Sequence, residues 1–99
     1  MGWEVLLNTS VTTVTNYTIK NVNTYKFLSI ELRFNGLLIA QMLIPASQYS
    51  QVRNISGFVD ASQHIAIGQI VFNSPTSVKA WVCSQVNGNN IYVMIRGIR

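Results

Sequence analysis

Ionised side chains are scarce in this chain. Only 10% of its 99 residues are charged, and Asp and Glu together number three. Those three, Glu4, Glu31 and Asp60, leave little for general acid–base chemistry, because a paired-carboxylate site would need two of them to converge. The single histidine, His64, excludes a multi-histidine metal site within one chain. The single cysteine, Cys83, excludes an intrachain disulfide. A glycine-rich phosphate loop and a nucleophile elbow are both missing, so neither an enzyme nor a cofactor nor a metal is expected. No stretch approaches the ~20 apolar residues of a membrane-spanning helix, and no basic segment leads into an apolar one as a signal peptide would. The net charge is +4, but Lys20, Lys26, Arg33, Arg53, Lys79, Arg96 and Arg99 are scattered. A nucleic-acid binder concentrates its cations on one face, so neither a nucleic-acid partner nor membrane insertion is expected. A Cys83–His64 nucleophile pair would need the fold to bring the two side by side. Otherwise Cys83 reads as a small buried hydrophobe and His64 as a polar residue at a strand end.

What the sequence has is a period of two. Hydrophobic residues make up 48%, rich in Val and Ile, and with Thr and Tyr these favour pleated surfaces. The clearest segment is KFLSIELRFNGLLIAQMLI, Lys26 to Ile44. Leu28, Ile30, Leu32 and Phe34 alternate with Ser29, Glu31 and Arg33, as in a strand with one buried face. Glu31 beside Arg33 reads as a solvated sheet face. Asn35-Gly36 is a type I′ hairpin signal, since both central residues of that turn need positive φ. The second arm is apolar on both sides, with Leu37, Ile39 and Leu43 opposed to Leu38, Ala40, Met42 and Ile44. Such a strand must be covered twice. Either another copy of the chain supplies the cover, at an interface containing Leu38, Ala40 and Met42, or the strand is central in a closed sandwich.

Other strands are expected over Trp3–Asn8, whose Trp and Leu residues would seal one end of the core, and over Tyr17–Ile19, Val52–Val59, His64–Phe72, Val78–Ser84 and Ile91–Ile98. A bulge is expected at Gly57, a turn at Asp60–Gln63 and a second Asn-Gly hairpin at Asn87-Gly88. About eight short strands joined by polar turns predict a single all-β domain over 1–99, an antiparallel β-sandwich of jelly-roll-like kind, forming the C-terminal part of a longer chain.

Three Asn-x-Ser/Thr triplets begin at Asn8, Asn16 and Asn54. They would accept glycans in a secreted eukaryotic chain, but so Asn-, Ser- and Thr-rich a sequence yields them by chance. Rings near loops carry more information. Tyr25, Tyr49 and Trp81 are of the type that covers the apolar face of a pyranose, and planar polar groups take its hydroxyls. The candidate ligand-binding set is Tyr49, Arg53, Asp60, Gln63, His64 and Trp81. Against it stand ordinary core packing for each ring and, for Asp60, capping of its own turn.

The order of several short motifs resembles the C-terminal head or tip domains of bacteriophage tail fibres and receptor-binding proteins. These are Trp3-Glu4-Val5-Leu6-Leu7 at the start, Tyr25-Lys26-Phe27-Leu28-Ser29-Ile30 after an Asn/Thr turn, Ile44-Pro45 at a strand end, and Ile91-Tyr92-Val93-Met94-Ile95-Arg96-Gly97-Ile98 at the close. The likeness spans nearly the whole chain. It implies a β-sandwich homotrimer at a virion tail tip, made in the bacterial cytoplasm and adsorbing to a bacterial cell-surface glycan or protein. The family has no shared sugar-binding motif, so no binding residue is carried over by position. A structural virion protein without a receptor (baseplate or decoration) and a small free lectin are the alternatives, with a nucleic-acid-binding barrel last.

Overall fold

The computed structural model describes residues 2–11, 13–86 and 90–99. Eight strands run β1 (Glu4–Ser10), β2 (Thr15–Thr18), β3 (Phe27–Phe34), β4 (Leu37–Pro45), β5 (Arg53–Phe58), β6 (Ile65–Ser74), β7 (Ser77–Ser84) and β8 (Ile91–Ile98). They form two antiparallel four-stranded sheets, ordered β1-β8-β3-β4 and β2-β7-β6-β5. The β-sandwich expected from the alternating pattern is therefore present. The outer pairs β1–β8 and β2–β7 nest as in a rolled hairpin. Inside them, β3 turns directly to β4 and β6 sits between β5 and β7.

The hairpin at Asn35-Gly36 forms as its chemistry requires, with φ of 50° and 83° in the left-handed region that Gly and Asn tolerate. One residue of slippage then changes what β4 presents. Leu32 pairs with Ala40 but Arg33 pairs with Leu38, so Ile39 is the extra residue of a β-bulge. The alternation reverses there. Leu38 lies outside, opposite Arg33, while Ala40 and Met42 lie opposite the inward Leu32 and Ile30 and pack against the core. The three residues expected to share one interface do not share a face. The apolar excess of β4 has two outlets, core on one side and solvent-exposed Leu38 and Leu43 on the other.

The core lies between the sheets. Leu28, Ile30, Leu32, Val93 and Ile95 meet Ile70, Val78 and Ala80, all fully buried. Gly57 marks no bulge, since its pairing with Ala66 is in regular register. It permits close approach instead, because a Cβ there would stand 2.5 Å from Ile39 Cγ2 and 2.8 Å from the Ile39 carbonyl oxygen. This contact closes the sandwich along the β4–β5 side. Trp3, expected to seal one end, is exposed; Leu6 and Leu7 pack against the core in its place. The expected Asn87-Gly88 turn lies outside the described residues.

Candidate functional site

Of the three rings weighed for sugar stacking, two belong to the core. Tyr25 is buried, and Tyr49 is half-buried and packs edge-on against Phe72 at 6.2 Å between ring centres. Trp81 alone is open to solvent, with 39% of its surface exposed in the middle of β7.

The expected constellation does not assemble. Tyr49 and Arg53 lie at the start of β5, where Arg53 donates to Gln51 Oε1 and the Gln48 carbonyl, each at 2.8 Å. Asp60, Gln63 and His64 lie past the other end of that strand, roughly 17 Å away at ~3.3 Å per residue. There Asp60 organises a turn. Its Oδ1 accepts the His64 backbone N–H at 3.1 Å, its Oδ2 lies 2.6 Å from His64 Nδ1, and Gln63 takes φ of 63°. The His64 side chain and backbone hold the Asp60 carboxyl below its usual pKa. This is turn capping. Cys83 is exposed rather than buried and pairs with Ile67, three positions along from His64. The two do not form a dyad.

The outer face of the β2-β7-β6-β5 sheet gathers different partners around Trp81. Pairing sets Gln69 against Trp81 and Asn54 against Gln69, and Gln69 Nε2 donates to Asn54 Oδ1 at 3.2 Å. One step along, Lys79 lies between Val71 and Asn16. Asn16 Oδ1 accepts from Asn73 at 2.9 Å. A recess of about 100 Å³, lined by Val14, Gln69, Val71, Lys79 and Trp81, sits on this face. Phe58, Ile65 and Ile67 continue the apolar surface towards the β5–β6 turn. A flat ring, amides with spare donors and acceptors, and one ammonium thus share a surface held by rigid strands.

The outer face of the β1-β8-β3-β4 sheet was not legible as a feature. Glu31, expected on a solvated face, has no exposed surface. Register places it beside Met94 and Gln41, with Ser29 opposite Arg96. Its Oε1 accepts from Arg33 Nε at 2.8 Å and Nη2 at 2.6 Å. Its Oε2 accepts from Arg96 Nε at 3.0 Å, from Arg96 Nη2, and from Ser29 Oγ at 3.2 Å. Gln41 Nε2 donates to that hydroxyl at 2.9 Å. Burial pushes the Glu31 pKa up, but the two guanidiniums outweigh it and hold the carboxyl below its ordinary value. Val5, Phe27, Leu38, Leu43 and Tyr92 stand exposed on the same face. A larger recess of about 280 Å³ lies there, lined by Asn8, Arg33, Gly36, Tyr92 and Met94.

The remaining acid is engaged too. Glu4 accepts from Lys20 and, at 3.0 Å, from Arg99, and these contacts, with Lys20 foremost, lower its pKa. Among the described residues no group of three or more His, Cys, Asp or Glu could hold a metal ion, and no helix is long and apolar enough to cross a membrane. Scans against protein-family models, curated proteins and solved structures return no match.

Proposed function

We propose that this chain is a non-catalytic recognition module, the head of a bacteriophage tail fibre or receptor-binding protein. It adsorbs as a homotrimer to a saccharide of the bacterial surface from the virion tail tip. The observation that carries the binding role is Trp81. An indole exposed in mid-strand, beside the Gln69 and Asn54 amides, is a poor use of a large apolar ring unless something covers it. Strand-borne groups are also fixed in place, so little ordering entropy is lost on binding.

The trimer rests on the motif order and on the other sheet. Four strands by eight residues make a face of roughly 19 × 26 Å, about 500 Å² in plan. A standard interface takes ~800 Å² of accessible surface from one partner, so this face would supply the larger part of it. Its exposed aliphatic side chains surround charges that are already paired, which suits burial against further copies of the chain.

The test combines a glycan array with adsorption to intact bacteria, for the parent and for Trp81→Ala. Truncating a stacked ring should weaken saccharide binding about tenfold or more, at ~1.5 kcal/mol or above, with folding and assembly unchanged. Adsorption that survives in a well-folded Trp81→Ala variant would place the receptor contact elsewhere. A parent that binds neither glycans nor cells would favour a structural virion protein.

A further inference from the structure

We infer that the ligand of the Trp81 face carries a negative charge, a carboxylate or phosphate on the saccharide, and that Lys79 reads it. This rests on the saccharide reading above and specifies its chemistry. The chain has three side-chain carboxylates, and all are engaged: Glu4 by Lys20 and Arg99, Glu31 by Arg33 and Arg96, Asp60 by His64. Lys79 has no hydrogen bond or ion pair among the described residues, yet it is half-buried and lines the same recess as Trp81 and Gln69.

Its neighbours offer it no anion. Across the strands stand Val71 and the amide of Asn16, whose oxygen already accepts from Asn73. Along its own strand the same face shows Trp81. A lysine can snorkel away from such surroundings, but Lys79 is half-buried and lines the recess it shares with Trp81 and Gln69. An anionic group on a sugar stacked over Trp81 would meet Lys79 directly, while Gln69 and Asn54 take hydroxyls. A lysine acts as a point charge with three rotatable donors and lacks the planar fork of arginine, so carboxylate and phosphate both satisfy it. A neutral sugar leaves it unmet.

The experiment measures binding of the full chain to three immobilised oligosaccharide classes: neutral, uronic-acid-containing and phosphorylated. It uses the parent, Lys79→Gln, Lys79→Arg and Trp81→Ala. The expected result is a preference for one or both charged classes. Lys79→Gln should lose roughly tenfold or more in affinity for them, as for one charge-assisted hydrogen bond, and leave neutral binding unchanged. Lys79→Arg should restore most of the loss, and raising salt should erase the preference. The carboxylated and phosphorylated arms identify the source of the charge. Equal binding of neutral and charged classes, lost in Trp81→Ala but indifferent to Lys79→Gln, overturns the charge inference and leaves the saccharide reading standing. Binding indifferent to Trp81→Ala, or no binding to any class, overturns both.

Discussion

Replacing Glu31 by Gln removes the one negative charge between Arg33 and Arg96 while keeping the side chain's size. Two guanidiniums then face each other across a neutral amide on the outer face of the β1-β8-β3-β4 sheet. Breaking a buried ion pair by neutralising one partner costs ~3–5 kcal/mol. Here the arginine side chains keep 26% and 28% of their surface exposed, so water solvates part of the orphaned charge. The expected loss is therefore nearer ~2 kcal/mol. For a domain of this length that lowers Tm by roughly 8–16 °C, read by calorimetry at one fixed protein concentration so that assembly does not shift the baseline. The pH dependence has a definite sign. A carboxyl whose folded pKa lies below its ordinary value near 4.5 contributes stability that is complete above that value and is lost as pH falls through the folded pKa. The parent should thus lose stability below about pH 4.5, and the Gln variant should lack that share of the decline. Substituting all three together, Glu31→Leu, Arg33→Met and Arg96→Met, should cost far less than Glu31→Gln alone, since apolar residues of similar volume replace a buried ion cluster at little cost. A Glu31→Gln variant within ~0.5 kcal/mol of the parent at pH 7, with unchanged acid sensitivity, would refute the reasoning.

Two further outcomes follow from packing and assembly. Gly57→Ala places a methyl against the backbone and side chain of Ile39, and parting β4 from β5 should cost ~1–3 kcal/mol in denaturant unfolding, with cell binding intact in the folded fraction. Leu43→Asp, at a position 60% exposed on the proposed assembly face, should leave the fold within ~0.5 kcal/mol of the parent yet convert a trimer to monomers in light scattering. An unchanged trimer would move the interface off this sheet.

Strands were legible because their cause is local. The period-two runs of β3, β6, β7 and β8 and the Asn35-Gly36 turn each follow from neighbouring residues alone. What was not legible depends on pairing between distant segments. Glu31 looked solvated because only Arg33 is near it in sequence, while Arg96, sixty-five residues away, completes its burial. The face swap in β4 arises from one extra residue, Ile39, which no composition marks. Tyr49, on a polar loop, led the sequence reading and Trp81, on a strand, came behind it; only the fold separates the ring against Phe72 from the ring in solvent. Grouping Asp60 and His64 with Tyr49 failed because proximity in sequence spans the full length of β5, which holds its two ends apart.

Both outer faces carry exposed apolar side chains but treat charge differently, and this bears on their proposed division of labour. A face that stays dehydrated in an assembly cannot leave an ion without a partner, because each unpaired charge adds a desolvation cost with nothing to offset it. On the β1-β8-β3-β4 sheet the buried Glu31 carboxylate is bonded to both guanidiniums, so each of these three ions has a partner. A face that meets its ligand only on encounter keeps its charges in water until then, and an unmet ion there is inexpensive. It also supplies the contact that separates a correct ligand from an incorrect one. Lys79 is such an ion on the proposed recognition face of the β2-β7-β6-β5 sheet, in the recess it shares with the exposed Trp81. The Glu31 carboxylate bonded to Arg33 and Arg96 on one sheet, and Lys79 beside Trp81 on the other, are the observations that support the proposed division into an assembly face and a recognition face.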